Sequence, residues 1–264
     1  MDYILEAVAS RYGLPLIEDA CLVQGGRVAG SRPAGSFGIA SVVSFGAGKP
    51  ISLDHGGAIL TDDPALYKTL HDMEEKLPPF SFVAQEGIDS IGRSHTRLYN
   101  NHYGRDLEQN LLPFQSMALA GRHCFLHRFD NAVLPKLTQA VENLEEEIDR
   151  RWANWERMNK VLQERFREQL EILIPTPGAV PWRFNILMHK EKRNAVMQAI
   201  HRAGHNASSW HPPVSQFLEV QSPMGGAPIA HTIGEQILNL WITDYFDEYE
   251  DVVIRALKQW EAEL

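Results

Sequence analysis

Two short apolar runs near the N-terminus are each followed by residues that can carry chemistry. Residues 14–17 precede Glu18 and Asp19, and residues 39–45, which are rich in small and β-branched side chains, precede Lys49. Continuous apolar runs of this length predict β-strands that are buried on both faces of a sheet. Ligands of open α/β sheets bind at the carboxyl ends of the strands, so we expect Asp19 and Lys49 to converge on one crevice.

Helical periodicity appears on both sides of these runs. Residues 1–15 predict an amphipathic helix, and Asp63 with Pro64 predicts the start of another. Residues 137–170 repeat apolar positions at helical spacing for about nine turns, which predicts a long, exposed helix. We assign the charges of this helix, including the three acids at 145–147, to solvated faces and i,i+4 pairs rather than to chemistry.

The last third of the chain has a mixed pattern. Strands are predicted at residues 182–188 and 237–243, with an amphipathic helix at 192–205 between them that ends near Gly204 and a further helix at the C-terminus. Strands and helices in this order predict a small α+β domain.

We therefore predict an α/β protein in three parts. Residues 1–136 form a mostly parallel sheet with helices, residues 137–174 form the connecting helix, and residues 175–264 form the small α+β domain. Residues 76–112 are rich in Pro, Gly, His, Asn and Arg, and their weak periodicity predicts a long loop. Such a loop is typical of a lid, of a segment that crosses to a neighbouring subunit, or of an ordinary surface loop.

Composition and charge exclude several classes of partner. The 264 residues include 34 acids and 25 bases, a formal charge of −9, which argues against a nucleic-acid or anionic membrane surface as the main partner. No apolar run approaches a membrane-spanning length and the N-terminus does not resemble a signal peptide, so we expect a cytoplasmic protein. Cys21 and Cys124 fit no disulfide or metal framework, and we expect both to be reduced and buried.

The pairing of an acid with a lysine at neighbouring strand ends suits pyridoxal phosphate. A lysine can form a Schiff base with the aldehyde of this cofactor. A carboxylate can keep the pyridine nitrogen protonated, so that the ring accepts electrons. Asp19 and Lys49 are the residues that the pattern offers for these two roles.

Three short motifs around these residues resemble a known family. The stretches IEDA, SFGAGK and DHGGAILTDD, in this order and spacing, are similar to the central block of the DegT/DnrJ/EryC1/StrS family of pyridoxal-phosphate sugar aminotransferases. The resemblance implies the aspartate-aminotransferase fold. It also implies that Asp19 pairs with the pyridine nitrogen, that Ser44 contacts the cofactor phosphate and that Lys49 binds the cofactor covalently. The resemblance is strong for residues 14–66 and looser after residue 121.

Two other cofactor contacts of the family fall on altered positions. Leu22 stands where the family places a glutamine or histidine that bonds the phenolic oxygen of the cofactor, so we take the nearby Gln24 as the candidate. The family motif whose asparagine reaches the phosphate of the neighbouring subunit aligns with Asn110, and Leu112 stands in place of its arginine.

The first strands of the family's large domain, with a cradle for the phosphate, have no counterpart before Asp19 in this sequence. We therefore expect a partial large domain with an uncovered edge. The family's sites lie between subunits, so the predicted partner is a second copy or a separate chain that supplies the missing segment.

Other site classes lack support in the sequence. The eleven histidines show no metal-ligand spacing, GAGK lacks the rest of a phosphate-binding loop, and Ser44 has no recognisable histidine and acid for a hydrolase triad. The predicted function is amino transfer from an amino acid to a keto group, by family resemblance that of a nucleotide-linked sugar. The alternative is a non-catalytic relic that keeps the fold for assembly.

Overall fold

A computed structural model of the chain describes residues 2–28, 32–53, 55–101, 119, 121–210, 228–242 and 245–261. The chain divides into two compact units. The first unit comprises Met1–Ser81, Leu126–Ala153 and Pro175–Trp182, and the second comprises Phe82–Phe125, Asn154–Ile174 and Arg183–Leu264. The domain limits expected from the sequence remain predictions.

The described helices and strands alternate through most of the chain. The helices are α1 (Asp2–Tyr12), α2 (Pro64–Glu74), α3 (Phe82–Asn101), α4 (Leu134–Glu142), α5 (Leu144–Phe166), α6 (Lys190–Arg202), α7 (Pro228–Gln236) and α8 (Phe246–Glu261), with 3₁₀ turns at Arg122–Phe125 and Asn131–Val133. The strands are β1 (Ile17–Asp19), β2 (Arg27–Val28), β3 (Arg32–Pro33), β4 (Ala40–Ser44), β5 (Gly57–Leu60), β6 (Glu171–Ile172), β7 (Phe184–Leu187), β8 (Ala207–Ser208) and β9 (Ile237–Leu240).

A three-stranded sheet in the order β1-β4-β5 organises the first unit. Strands β1 and β4 are parallel, as predicted, and Asp19 lies opposite Val42. Strand β5 returns antiparallel to β4, with Gly57 opposite Ser44. Strand β1 starts later than the apolar run at residues 14–17, because Pro15 has no N–H to give to the ladder.

The prediction that these strands are buried on both faces is wrong. Ile17, Val42 and Ile59 lie on one face of the sheet, as their register shows, and they are 62%, 38% and 50% exposed. On the opposite face Ser41 is fully buried. Burial on that face is uneven, since Leu60, which lies opposite Ser41, is 52% exposed.

Glu18 connects β1 to the loop that leads into β4. Its carboxylate accepts hydrogen bonds from the backbone N–H groups of Gly35 (2.9 Å), Phe37 and Gly38 (3.0 Å). Gly38 is required there, since a Cβ atom would lie 2.2 Å from the carbonyl oxygen of Leu16. Successive strand residues point to opposite faces, so Glu18 holds this loop while Asp19 faces the other way.

The predicted long helix is two helices with a buried face. Asn143 separates α4 from α5 and adopts φ −92° and ψ 9°. Asparagine often interrupts a helix, because its side chain competes for backbone hydrogen bonds. The expectation of an exposed helix is wrong for α5, because Met158 and Leu162 are fully buried. Arg151 forms one of the expected i,i+4 pairs, with Glu147, but its side chain is 1% exposed rather than solvated.

The loop expected at residues 76–112 is largely helical where it is described, since α3 occupies Phe82–Asn101. Close packing against α3 depends on one of its own glycines, Gly87, and on Gly121, which lies outside the predicted loop. A Cβ atom at Gly87 would lie 2.7 Å from Cys124 Sγ, and one at Gly121 would lie 2.6 Å from Ile91. Residues 102–112 lie outside the described part of the chain.

The second unit contains an antiparallel sheet in the order β6-β7-β9-β8. Its core includes Phe184, Ile186, Leu238 and Leu240, all fully buried. Strands β7 and β9 and helix α6 lie where the pattern of residues 182–243 predicted them. Among the described residues, no helix has both the length and the apolar character needed to cross a bilayer.

Replacement of Glu18 by glutamine should lower the free energy of unfolding by about 2 kcal/mol, because one acceptor oxygen becomes an NH₂ group that faces backbone N–H donors. Urea denaturation measures this difference. Glu6→Gln is the matched control, since Glu6 forms a partly exposed ion pair with Arg32 and its loss should change stability by under about 0.5 kcal/mol. Equal midpoints for Glu18→Gln and the parent would contradict the role of Glu18.

Candidate functional site

The carboxyl ends of β1 and β4 meet at one edge of the first unit's sheet. Asp19 ends β1 and Ser44 ends β4, and both lie on the same face because Asp19 is opposite Val42 and Ser44 is two residues further on. A turn then leads to Lys49, whose N–H donates to the Gly46 carbonyl at 3.2 Å. Gly48 has a φ of +76°, a value that favours glycine at this point of the turn.

Asp19 is held in its ionised form. Hydrogen bonds from the Cys21 thiol and then from the Cys21 backbone N–H, at 3.0 Å from Oδ1, lower the pKa of this carboxyl group, and partial burial opposes them. The positive charge of Lys49 lowers the pKa of Asp19 further. The charge of Lys49 therefore acts on Asp19, and convergence of the two side chains on one crevice remains a prediction.

The Cys21 thiol is in the opposite situation. Burial, followed by the hydrogen bond and the charge of Asp19, raises the pKa of this thiol to about 11, although the charge of Lys49 opposes the rise. A thiol with so high a pKa is a poor nucleophile near neutral pH. Cys21 and Cys124 are free, as predicted, but both are half-buried rather than buried.

Gln24 and Ser44 lie side by side beneath this edge. Gln24 is 6% exposed, and its Nε2 donates to the backbone carbonyl of Ser44. Its Oε1 is buried without a hydrogen-bond partner in the described part of the chain. The Ser44 hydroxyl accepts from the Gly46 N–H at 3.3 Å. Contacts of Gln24 and Ser44 with a cofactor remain predictions, and Asn110 lies outside the described residues.

Two residues near Lys49 were missed by sequence reasoning. The Nζ of Lys49 lies 5.5 Å from the centre of the Trp182 ring, within the range of a cation–π interaction. Arg151 donates from Nη2 to the carbonyls of Gly48 at 3.0 Å and Lys49 at 3.1 Å. Both partners are more than a hundred residues from Lys49 in sequence, and their spacing carries no motif that would reveal the contact.

The chemistry of this group follows from its charges. Asp19 offers a carboxylate that stays ionised at neutral pH, which suits a bound cationic ring nitrogen. Lys49 offers a primary amine, which suits condensation with a carbonyl group. These two groups lie at the sheet edge where α/β proteins bind ligands.

Comparison with known proteins identifies the family. The model of the DegT/DnrJ/EryC1/StrS aminotransferase family matches residues 1–258, and the chain belongs to this family. The family indicates pyridoxal phosphate as the cofactor. The residues described above fit this group, because they include an ionised carboxylate, Asp19, and a lysine, Lys49, whose charge acts on it.

Three relatives show the extent of the likeness. The erythromycin biosynthesis sensory transduction protein EryC1 of Saccharopolyspora erythraea is 26% identical over 268 residues, which cover 96% of this chain and 60% of EryC1. Helicobacter pylori PseC, an aminotransferase involved in the biosynthesis of pseudoaminic acid, has a TM-score of 0.67 at 14% identity, covering 96% of this chain and 62% of PseC. DesI, solved in the presence of its TDP-sugar product, has a TM-score of 0.65 at 20% identity, with coverage of 98% and 60%.

The solved structures confirm a mixed α/β fold that matches pyridoxal-phosphate aminotransferases. The chain spans about three fifths of the length of these relatives, with 60% of EryC1 and 62% of PseC covered.

Replacement of Asp19 by asparagine should lower the pKa of the Cys21 thiol from about 11 toward its ordinary value, because the charge of the carboxylate is lost while burial remains. At about pH 9 the thiol of the variant is then more often ionised and reacts faster with iodoacetamide. Mass spectrometry of the Cys21 peptide, with the Cys124 peptide as internal reference, measures the rate. Identical pH profiles for parent and variant would remove Asp19 from contact with Cys21.

Proposed function

We propose that this chain carries the lysine and aspartate of a pyridoxal-phosphate sugar aminotransferase site. The observation that supports this function best is the parallel pairing of β1 with β4, which places Asp19 and the Lys49 turn at one sheet edge, where the charge of Lys49 acts on the Asp19 carboxyl group. In this proposal, residues 1–136 belong to a partial large domain, residues 137–174 to a connecting helix and residues 175–264 to a small domain.

Each residue has a definite task in the proposed site. Asp19 holds the protonated ring nitrogen, and Lys49 binds the cofactor and then moves a proton at the α-carbon of the amino donor. Ser44 and Asn110 hold the phosphate, and Gln24 bonds the phenolic oxygen. When bound, pyridoxal phosphate supplies an electron sink for the carbon from which the proton leaves.

The proposed acceptor is the keto group of a nucleotide-linked sugar, and the donor is an amino acid. The relative DesI, with its TDP-sugar product, supports a nucleotide-linked substrate, and PseC supports a role in sugar biosynthesis. In this proposal the site residues contact the cofactor rather than the sugar, so the nucleotide-linked substrate is supported by these relatives alone.

Assembly is the second part of the proposal. Ile17, Val42 and Ile59 form an exposed apolar row on the same face as Asp19. A row of this kind is best covered by another protein surface. We propose that a second copy of the chain, or a separate partner chain, covers this row and completes the cofactor site.

A non-catalytic function is the second candidate. The row of Ile17, Val42 and Ile59 and the presence of Leu22 beside the site favour a protein that keeps the fold for assembly. Cofactor labelling separates this candidate from the enzyme.

Borohydride reduction in the presence of pyridoxal phosphate should place the phosphopyridoxyl label mainly on the peptide that contains Lys49. The variant Lys49→Arg should lose at least about 90% of this label, a tenfold preference for one site that corresponds to about 1.4 kcal/mol. Lys76→Arg is the matched control and should keep it, because Lys76 is exposed and has no acid placed for the ring nitrogen. Peptide mapping gives the distribution, and even labelling of surface lysines such as Lys68 and Lys190 would favour the non-catalytic candidate.

The chain should form a dimer or larger assembly at about micromolar concentration, because the apolar row needs a partner surface. Ile59→Lys places a charge in this row and should shift the sedimentation coefficient toward that of a monomer. Ile174→Lys changes an apolar residue that is 65% exposed outside the row and should leave the coefficient unchanged. A parent chain that sediments as a well-behaved monomer would contradict self-association through this face.

A further inference from the structure

The guanidinium group of Arg151 lies buried behind the Lys49 turn. Its Nη2 atom donates to the carbonyl of Gly48 at 3.0 Å and to the carbonyl of Lys49 at 3.1 Å. These carbonyls belong to the two rigid peptide groups on either side of the Lys49 Cα atom. Their orientation sets φ and ψ of Lys49, and with them the direction in which the lysine side chain leaves the backbone.

The other terminal nitrogen of Arg151 binds the backbone on both sides of Trp182 in the same way. Nη1 of Arg151 donates to the carbonyl of Pro181 at 3.4 Å and to the carbonyl of Trp182 at 3.3 Å, which flank the Trp182 Cα atom. The ring of Trp182 lies below the Lys49 amine, with 5.5 Å between Nζ and the ring centre. One planar group therefore orients both members of this cation–π pair.

Glu147 completes the arrangement from the preceding turn of α5. Its Oε1 accepts from Arg151 Nε at 2.6 Å. The five hydrogen bonds described for Arg151 equal the number of N–H groups on a guanidinium. A charge that is 1% exposed is tolerated in such a place because it is paired and hydrogen-bonded.

The turn itself has little freedom to relax if these bonds are lost in part. Pro50 is buried and restricts the preceding Lys49 to extended backbone conformations. Gly48 stands at a positive φ of 76°. The Gly48 N–H also donates to Ser52 Oγ at 3.2 Å. A small change in the orientation of the Gly48 and Lys49 carbonyls therefore changes the direction of the Lys49 side chain, because the neighbouring backbone cannot compensate for it.

We infer that Arg151 is a positioning residue for Lys49, which it holds over the Trp182 ring through the backbone carbonyls on both sides of each residue. This inference rests on the proposed function for its catalytic meaning, because the position of Lys49 matters to catalysis when it carries the cofactor. The geometry is independent of the cofactor and is tested without it.

Lysine cannot replace Arg151 in this role. An ammonium group has three donors that radiate from one atom, whereas the guanidinium fork reaches two separated pairs of carbonyls. Arg151→Lys keeps the charge beside Glu147 and loses the simultaneous hold on both backbone segments. Arg150→Lys is the matched control, because Arg150 pairs with the same carboxylate and its side chain is 33% exposed.

The test uses the full chain with its lysines ¹³C-dimethylated, a modification that keeps their charge. The NMR signal of dimethylated Lys49 is assigned as the signal that is lost in Lys49→Arg. The part of its chemical shift that comes from the Trp182 ring current is the part that changes in Trp182→Leu. Arg151→Lys should lose most of this shift while the other lysine signals stay in place, and Arg150→Lys should keep it. In separate, unmethylated samples, the phosphopyridoxyl label at Lys49 should fall at least about tenfold in Arg151→Lys, as expected for loss of charge-assisted hydrogen bonds.

The outcomes separate this inference from the proposed function. If Arg151→Lys loses the Lys49 ring-current shift but the parent takes no label at Lys49, the result contradicts the aminotransferase proposal and supports the positioning role. An unchanged shift in Arg151→Lys overturns the inference. If Arg151→Lys does not fold, Glu147→Gln is the second variant, because it weakens the bond to Arg151 Nε with little change in volume. It should reduce the Lys49 ring-current shift in part. A shift equal to that of the parent would overturn the inference as well.

Discussion

The register between β1 and β4 is the constraint on which the site depends. In this register Asp19 lies opposite Val42 and shares a face with Ser44. A slip of one residue would exchange the faces of Glu18 and Asp19, since side chains alternate along a strand. The three N–H groups that bind the Glu18 carboxylate oppose such a slip, because they attach β1 to the loop that enters β4. The adjacent acids thus divide the work, one fixing the register and the other facing the site.

The strand ends and the chemistry of the site were predictable because they depend on local sequence. Apolar runs located β1 and β4. Asp19 and Lys49 were predictable because parallel neighbours end at the same edge. The proximity of their charges followed from this rule alone.

What could not be predicted depends on contacts between distant segments. Nothing in the sequence marks Arg151 as buried, since a basic residue on a charged helix is solvated far more often than not. Helix α3 was missed because glycines lower helix propensity, and one of its glycines, Gly87, allows Cys124 to approach closely. The exposure of Ile17 and Val42 was missed because an apolar run shows that a strand can be buried. It does not show whether another segment packs against that strand.

Besides its ion pair with Glu147, Arg151 donates to the backbone carbonyls at positions 48, 49, 181 and 182. Every residue carries such a carbonyl, so these bonds do not depend on which side chain occupies position 49. A protein engineer can therefore place another nucleophile there, such as histidine or cysteine, and retain the same backbone support. The turn between β4 and β5 can therefore support different reactive side chains. The backbone of this turn is oriented by Arg151, on a helix that takes no part in the chemistry.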